Sequence, residues 1–116
     1  MKDIQNLVSQ GDTTIRRVDK IPEGFVAAKP AKEVIIAHSE TGHHHVAVAP
    51  APLVVFQNLK DPMRMFVKAS SAVNVKHLRD WDTHEELKLL DRGGENIWEI
   101  IRQREEAPEG WRQVQD

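Results

Sequence analysis

Clusters of turn-forming residues divide this chain into short segments, and their spacing restricts its fold more than any other feature. Gly, Pro, Asn and Asp stand between runs that are rich in Val, Ile, Phe and Thr. Such runs are typical of β-strands, and about seven to nine of them in succession favour two packed sheets or a closed one. The sequence therefore predicts an all-β fold, a small β-sandwich or β-barrel.

The length of 116 residues fits a single domain, which we take to span residues 1–116. Three apolar residues near the start lie at helical spacing: Ile4, Leu7 and Val8. We therefore expect residues 1–11 to form a short helix, or an arm that docks on a neighbouring subunit. Residues 107–116 are expected to form a C-terminal tail.

The predicted strands include residues 13–18, 53–58, 63–69, 72–78 and 97–104, and the clearest alternation is at residues 63–69. The last of these is apolar on both faces, so we expect it to be a central strand. Residues 49–52, Ala-Pro-Ala-Pro, are expected to break strand pairing, because proline has no N–H to donate to a ladder.

Composition excludes several functions. The chain has no cysteine, so disulfides and thiolate metal sites are ruled out. A net charge of −2 without a basic, aromatic stripe makes nucleic acid an unexpected partner. No apolar run approaches the roughly 18–20 residues that span a bilayer, and the N-terminus lacks a signal-peptide pattern. We expect a cytoplasmic protein, or a virion protein if a phage encodes it.

Four of the six histidines lie in one stretch, residues 37–46, which β-branched and apolar residues flank on both sides. This pattern predicts a β-hairpin, and we take Thr41-Gly42 as its two-residue loop. Such a loop fixes the opposed pairs as Glu40 with His43, His38 with His45, and Ile36 with Ala47. Opposed residues share a face. One side of the hairpin is therefore expected to carry His38, Glu40, His43 and His45.

Imidazole nitrogen and carboxylate oxygen are ligands of Zn, Fe, Mn and Ni sites, so this cluster indicates a divalent transition metal. His84 stands among carboxylates and could serve as a further ligand or as a general base. Asp82 and Glu85 could orient a ligating histidine by accepting its second N–H. Glu40 could instead stay off the metal and act as the base. The sequence does not specify a reaction.

Other roles remain open for the histidines. They could decorate a solvated hairpin, or respond to pH near their ordinary pKa of about 6.5. The chain could also be an oligomeric accessory protein, such as a phage capsid decoration or cement subunit. Residues 1–10 and 107–116 would then be docking arms, and the histidines would pack or staple strands or subunits. We expect a homo-oligomer in either case.

Three segments together resemble a group of small uncharacterised proteins from bacteria and phages: residues 37–45, 83–86 and 101–111. Gly11-Asp12 and the turn at residues 21–24 extend the resemblance to most of the chain. In that group a further histidine and a Gly-Tyr pair follow the His-Glu-Glu segment, whereas this chain has Leu87 and Trp98 near those places. The resemblance adds support for a capsid or other protein assembly as a partner.

The histidine stretch is also loosely similar to cupin-type β-barrels, which hold a metal with His-x-His and Glu. The order here is His-x-Glu, turn, His-x-His, so the motif is not matched literally. This similarity implies a jelly-roll or cupin-like barrel. Because Ile36 and Ala47 are predicted to share the face of the histidines, we expect the cluster to point into a barrel mouth or a sandwich interior.

Overall fold

A computed structural model describes residues 2–10, 13–37, 45–77 and 86–102, and every regular element in these ranges is a β-strand. The strands are β1 (Lys2–Ile4), β2 (Leu7–Gln10), β3 (Thr13–Val18), β4 (Val26–Ala27), β5 (Ala31–Ala37), β6 (His45–Gln57), β7 (Arg64–Ala69), β8 (Val73–His77), β9 (Leu87–Leu89) and β10 (Asn96–Arg102). The predicted all-β fold is confirmed. The described part of the chain contains no helix that could cross a membrane.

β6 is the longest strand, and it belongs to both halves of the sheet. Its first half pairs with β5 and β8, and its second half pairs with β4 and β7. The ladder with β8 ends at Val48 and the ladder with β7 begins at Val54, so Pro50 and Pro52 lie between them. The predicted interruption of pairing is therefore confirmed on this side, although the chain continues through it as one strand.

The other strands extend the sheet until its two edge strands come close to each other. Their order is β1-β9-β8-β6-β7-β10-β3-β2, with β4 and β5 on the second edge of β6. β1 and β2 end this order, yet only Gln5 and Asn6 separate them in the chain. The Leu90 N–H donates to Ile4 O at 2.9 Å, and the Arg17 N–H donates to Asn6 O at 2.8 Å. The sheet thus forms a nearly closed barrel.

Alternate side chains of most strands fill the interior of the barrel. The core comprises Ile4, Val8, Ile15, Ile36, Ala47, Ala49, Leu53, Val55, Val67, Ala69, Val73, Val75, Leu87, Leu89, Trp98 and Ile100. Complete burial of one large apolar side chain contributes about 1.5–3 kcal/mol, so this interior is the main source of stability. Trp98 is the largest of these residues and is 0% exposed.

The N-terminal helix predicted from apolar spacing is wrong. β1 pairs in parallel with β9, and β2 pairs antiparallel with β3. Ile4 and Val8 are both buried, but in two different strands that meet at a bend. An apolar spacing of four residues can therefore arise without a helix, and pairing with distant strands decides the conformation.

β10 is the central strand that the sequence predicted, because it pairs with both β3 and β7. The turn that precedes it contains Gly93 and Gly94, whose φ angles are 98° and 65°. Glycine adopts this region without a steric cost. Asp91 Oδ1 accepts a hydrogen bond from the Gly93 N–H at 2.9 Å. This turn directs the chain from β9 into β10.

Candidate functional site

The first residue of β6, His45, lies in a row with the last residues of two neighbouring strands. It pairs with Ala37 of β5 on one side and with His77 of β8 on the other. Cα atoms of directly opposed residues in such ladders are about 4.5–5.5 Å apart. We call the row Ala37, His45 and His77 the histidine end of the barrel. It brings two histidines and the starts of two connecting segments together.

His45 is buried although it begins a strand. His45 is only 8% exposed, and the next two residues of β6, Val46 and Ala47, are buried as well. Strands on both sides of β6 exclude water from this position. Burial keeps bulk water from competing for the ring nitrogens, which favours strong interactions with a specific partner.

Of the five ligands predicted from the sequence, only His45 lies within the described residues. The other predicted site residues lie outside them, with His38, Glu40 and His43 in segment 38–44, and Asp82, His84 and Glu85 in segment 78–85. Within the described ranges, no three His, Asp or Glu residues are grouped as metal ligands. The convergence of the predicted ligands therefore stays a prediction.

The hairpin predicted around the histidine stretch is confirmed at its base, because β5 and β6 pair antiparallel, but its predicted register is wrong. The ladder pairs Val34 with Ala47, Ile35 with Val46, and Ala37 with His45. The prediction had opposed Ile36 to Ala47 and His38 to His45. A β-bulge between Ile35 and Ala37 adds a residue to β5. The shared face assigned to the histidines does not follow from the described ladder.

His77 was not among the site residues predicted from the sequence. It follows Val73 and Val75 in the alternation of β8, which indicated a core or surface histidine. Only the strand register reveals that it is the direct partner of His45. No short motif could have signalled this pairing, since 31 residues of chain separate the two strand ends and the ladder alone brings them together.

A second charged cluster lies on the outside of the barrel. Glu99, in the middle of β10, is 1% exposed. Its Oε1 accepts from Arg16 Nε at 2.6 Å, and its Oε2 accepts from Arg64 Nε at 2.7 Å. Burial alone would raise the pKa of Glu99. The hydrogen bonds and charges of both arginines lower the pKa by more than burial raises it, so the pKa lies below its usual value. Both carboxylate oxygens are engaged, which suits an ion cluster that stabilises the sheet better than a proton-transfer group.

The sequence contained one signal for this cluster. Glu99 is the single charged residue between Ile97 and Ile101 in a strand predicted to be central. A carboxylate in such a position requires a charged partner, because burial of an unpaired charge is costly. The partners themselves, Arg16 and Arg64, could not be identified without the register.

Arg17 lies where the chain passes from β1 into β2 and from β9 towards β10, and it donates hydrogen bonds to both connections. Its Nη1 donates to Asn96 Oδ1 at 2.7 Å, its Nη2 donates to Leu90 O at 2.5 Å, and its Nε donates to Gln5 O at 2.9 Å. The guanidinium carbon lies 4.2 Å from the ring centroid of Trp98. Burial is the largest cause that lowers the pKa of Arg17. These three hydrogen bonds join Arg17 to the bend between β1 and β2, to the end of β9 and to β10.

Comparison with protein families matches residues 9–103 to DUF8820, a domain of unknown function. The chain belongs to this family. The DUF8820 match begins in β2 and ends one residue after β10, so it includes nearly the whole barrel. No curated protein and no solved structure matches the chain. The family agrees with the resemblance to small uncharacterised proteins, whereas the similarity to cupins gains no support.

Proposed function

We propose that this DUF8820 domain binds a divalent transition metal at the histidine end of its barrel. The register of Ala37, His45 and His77 carries the proposal. Segment 38–44 follows Ala37, and segment 78–85 follows His77, so the two histidine-bearing segments start from neighbouring strand ends. This supports a common site for residues that are far apart in the sequence.

The lengths of the two segments also support a common site. Segment 38–44 connects Ala37 to its own ladder partner, and segment 78–85 leads back to β9, which pairs with β8. An extended chain advances at most about 3.3–3.6 Å per residue, so a segment that must return reaches no farther than roughly 15 Å from the strand ends. This limit supports a site to which His38, His43 and His84 contribute together with His45.

The donor set determines the type of ion. His38, Glu40, His43, His45 and His84 are the proposed ligands, with His77 as a further candidate from its register position. Imidazole and carboxylate donors without thiolate suit Zn, Fe, Mn or Ni. Carboxylates of Asp82 and Glu85 would accept the second N–H of a ligating imidazole and so fix its orientation. An open coordination position would allow the ion to activate water or to bind an oxygen atom of a substrate.

A zinc titration of the purified chain against a chromophoric chelator tests this proposal. We expect one equivalent to bind. His43→Ala and His45→Ala should each weaken binding by more than the roughly 10–100-fold that follows loss of an outer-shell partner, because they remove a direct ligand. Affinity should fall as the pH drops below about 6.5, since protonated imidazole cannot coordinate a metal.

Val75→Ala is the matched control for the loss of buried volume. Val75 is 0% exposed and pairs with Ala47 two residues from the histidine end, but it supplies no donor. This variant should lose stability and keep the zinc affinity of the parent. Equal affinities for the parent and both histidine variants would contradict the proposal.

The oligomeric accessory role, including a subunit of a phage capsid, stays a prediction from the sequence. It differs from the metal proposal in one measurable respect. A stable oligomer that binds no metal would favour the accessory role, whereas a metal-bound chain of any oligomeric state favours the proposal above.

A further inference from the structure

The outside of the second half of the barrel is formed by β2, β3, β10, β7 and the end of β6. It combines large apolar side chains with the ion cluster of Arg16, Glu99 and Arg64. Strand registers place Leu7, Arg16, Glu99, Phe66 and Phe56 in one row across these five strands. Opposed residues share a face. This outer face carries seven large apolar residues: Leu7, Val18, Val54, Phe56, Phe66, Ile97 and Ile101.

A sheet with one solvated face normally presents polar side chains to water. The outer face of this sheet instead carries large apolar side chains around the ion cluster, in addition to the apolar interior face. Phe66 is covered, in part by Phe25, whose ring centroid lies 4.9 Å away. Leu7 remains 64% exposed, and Ile97, Ile101 and Phe56 are only partly buried by the described residues. Partly exposed apolar side chains in this number indicate a covering segment or partner.

We propose that the chain's own C-terminal segment, residues 103–116, docks on this outer face through Trp111. The segment continues directly from Arg102, the last residue of β10, at the edge of the face. β10 has seven residues and spans about 20–24 Å at 3.4 Å per residue. Trp111 follows Arg102 by nine residues, which can extend about 30 Å, so its indole can reach any point along the strand.

Charge and composition match the segment to the face. The segment contains four acidic residues and two arginines, together with Trp111 and Val114 as apolar anchors. The face presents two partly exposed cations that already have a carboxylate neighbour. Arg16 is 54% exposed in its side chain although its Nε bonds Glu99, and Lys68 is 33% exposed although its Nζ lies 3.5 Å from Glu95 Oε2. Carboxylates attract these cations, and cations beside aromatic rings provide a favourable surface for an indole.

The family boundary agrees with this arrangement. The DUF8820 match ends at residue 103, where the proposed covering segment begins. The match therefore includes most of the barrel, and the proposed covering segment lies beyond it. Displacement of the segment would expose an apolar and cationic surface to other acidic, aromatic partners.

Fluorine NMR of the full chain with 5-fluorotryptophan at its three tryptophan positions tests the proposal. Trp111→Phe assigns the signal, and the change in chemical shift between H2O and D2O reports exposure of the indole. We expect a Trp111 shift well below that of the free amino acid and independent of protein concentration. Lys68→Glu should raise it towards the free value, because a cation on the face becomes an anion opposite an acidic segment.

Lys76→Glu is the matched control, since Lys76 is a half-exposed lysine on β8, in the other half of the barrel. It should leave the Trp111 signal unchanged. A fully exposed indole in the parent chain would overturn the proposal, as would a signal that Lys68→Glu does not move. Shielding that appears only at high concentration would show that the segment covers a second copy, and would also overturn it. None of these outcomes depends on metal binding.

Discussion

Replacing Arg16 and Arg64 together with methionine is expected to lower the free energy of unfolding by about 3–5 kcal/mol, because Glu99 would remain buried without a partner. Methionine keeps the aliphatic cover over the carboxylate and removes only the charges and donors. Urea unfolding at pH 7 measures the loss. A change within the range of exposed ion pairs, about 0–1 kcal/mol, would contradict this view of the cluster.

The triple variant Arg16→Met/Arg64→Met/Glu99→Met separates loss of charge pairing from loss of packing. Replacement of a whole buried ion cluster by apolar residues is often neutral or stabilising. We therefore expect the third substitution to restore most of the stability that the double variant loses. A triple variant that is less stable than the double variant would show that the cluster contributes mainly through shape.

The dependence of stability on pH should change sign between the parent and the double variant. In the parent, the pKa of Glu99 in the folded state lies below its unfolded value of about 4.3, so the contribution is present above that pH and is lost as pH falls through the folded pKa. In the double variant, burial without cations raises the folded pKa. Its stability should then decline as pH rises above about 4.3, because only the unfolded state releases the proton easily.

Trp98→Ala is expected to cost about 3–5 kcal/mol, the range for removal of a large aromatic side chain from a core. Trp98 is 0% exposed and lies on the central strand, with Val67 and Arg17 as its direct neighbours across the two ladders. The variant would also leave the guanidinium of Arg17 without the ring that lies 4.2 Å from it. Thermal and urea unfolding would measure the loss.

Two variants at neighbouring positions calibrate that result. Trp98→Phe keeps an aromatic ring and removes an indole N–H that has no acceptor among the described residues, so it should cost less than Trp98→Ala. Ile97→Ala removes a partly buried side chain on the opposite face and should cost less than Trp98→Ala. Similar losses for Trp98→Ala and Ile97→Ala would contradict the assignment of the core to the interior face.

The sequence predicted correctly the strands and turns whose conformation depends mainly on their own residues. The alternation at residues 63–69, the turn at Asp91–Gly94 and the two-sided apolar pattern of β10 all led to correct strands and turns, because binary pattern and turn residues point to the same conformation. The all-β fold followed from their number and spacing.

The features that were missed depend on contacts between distant segments. Ile4 and Val8 have helical spacing, yet parallel pairing with β9 and antiparallel pairing with β3 make them strand residues. The bulge in β5 shifts the hairpin register, and the composition of residues 31–37 does not indicate a bulge. The partners of Glu99 and of His45 likewise come from ladders between strands far apart in the sequence.

Native mass spectrometry of the intact chain tests the central proposal, metal binding at the histidine end, most directly. The protein would be measured after purification without chelator and again after addition of Zn²⁺. We expect the mass of one divalent ion per chain, its disappearance in His45→Ala, and its retention in Val75→Ala. A chain that stays free of metal in the presence of Zn²⁺, or that binds it equally without His45, would contradict the proposal.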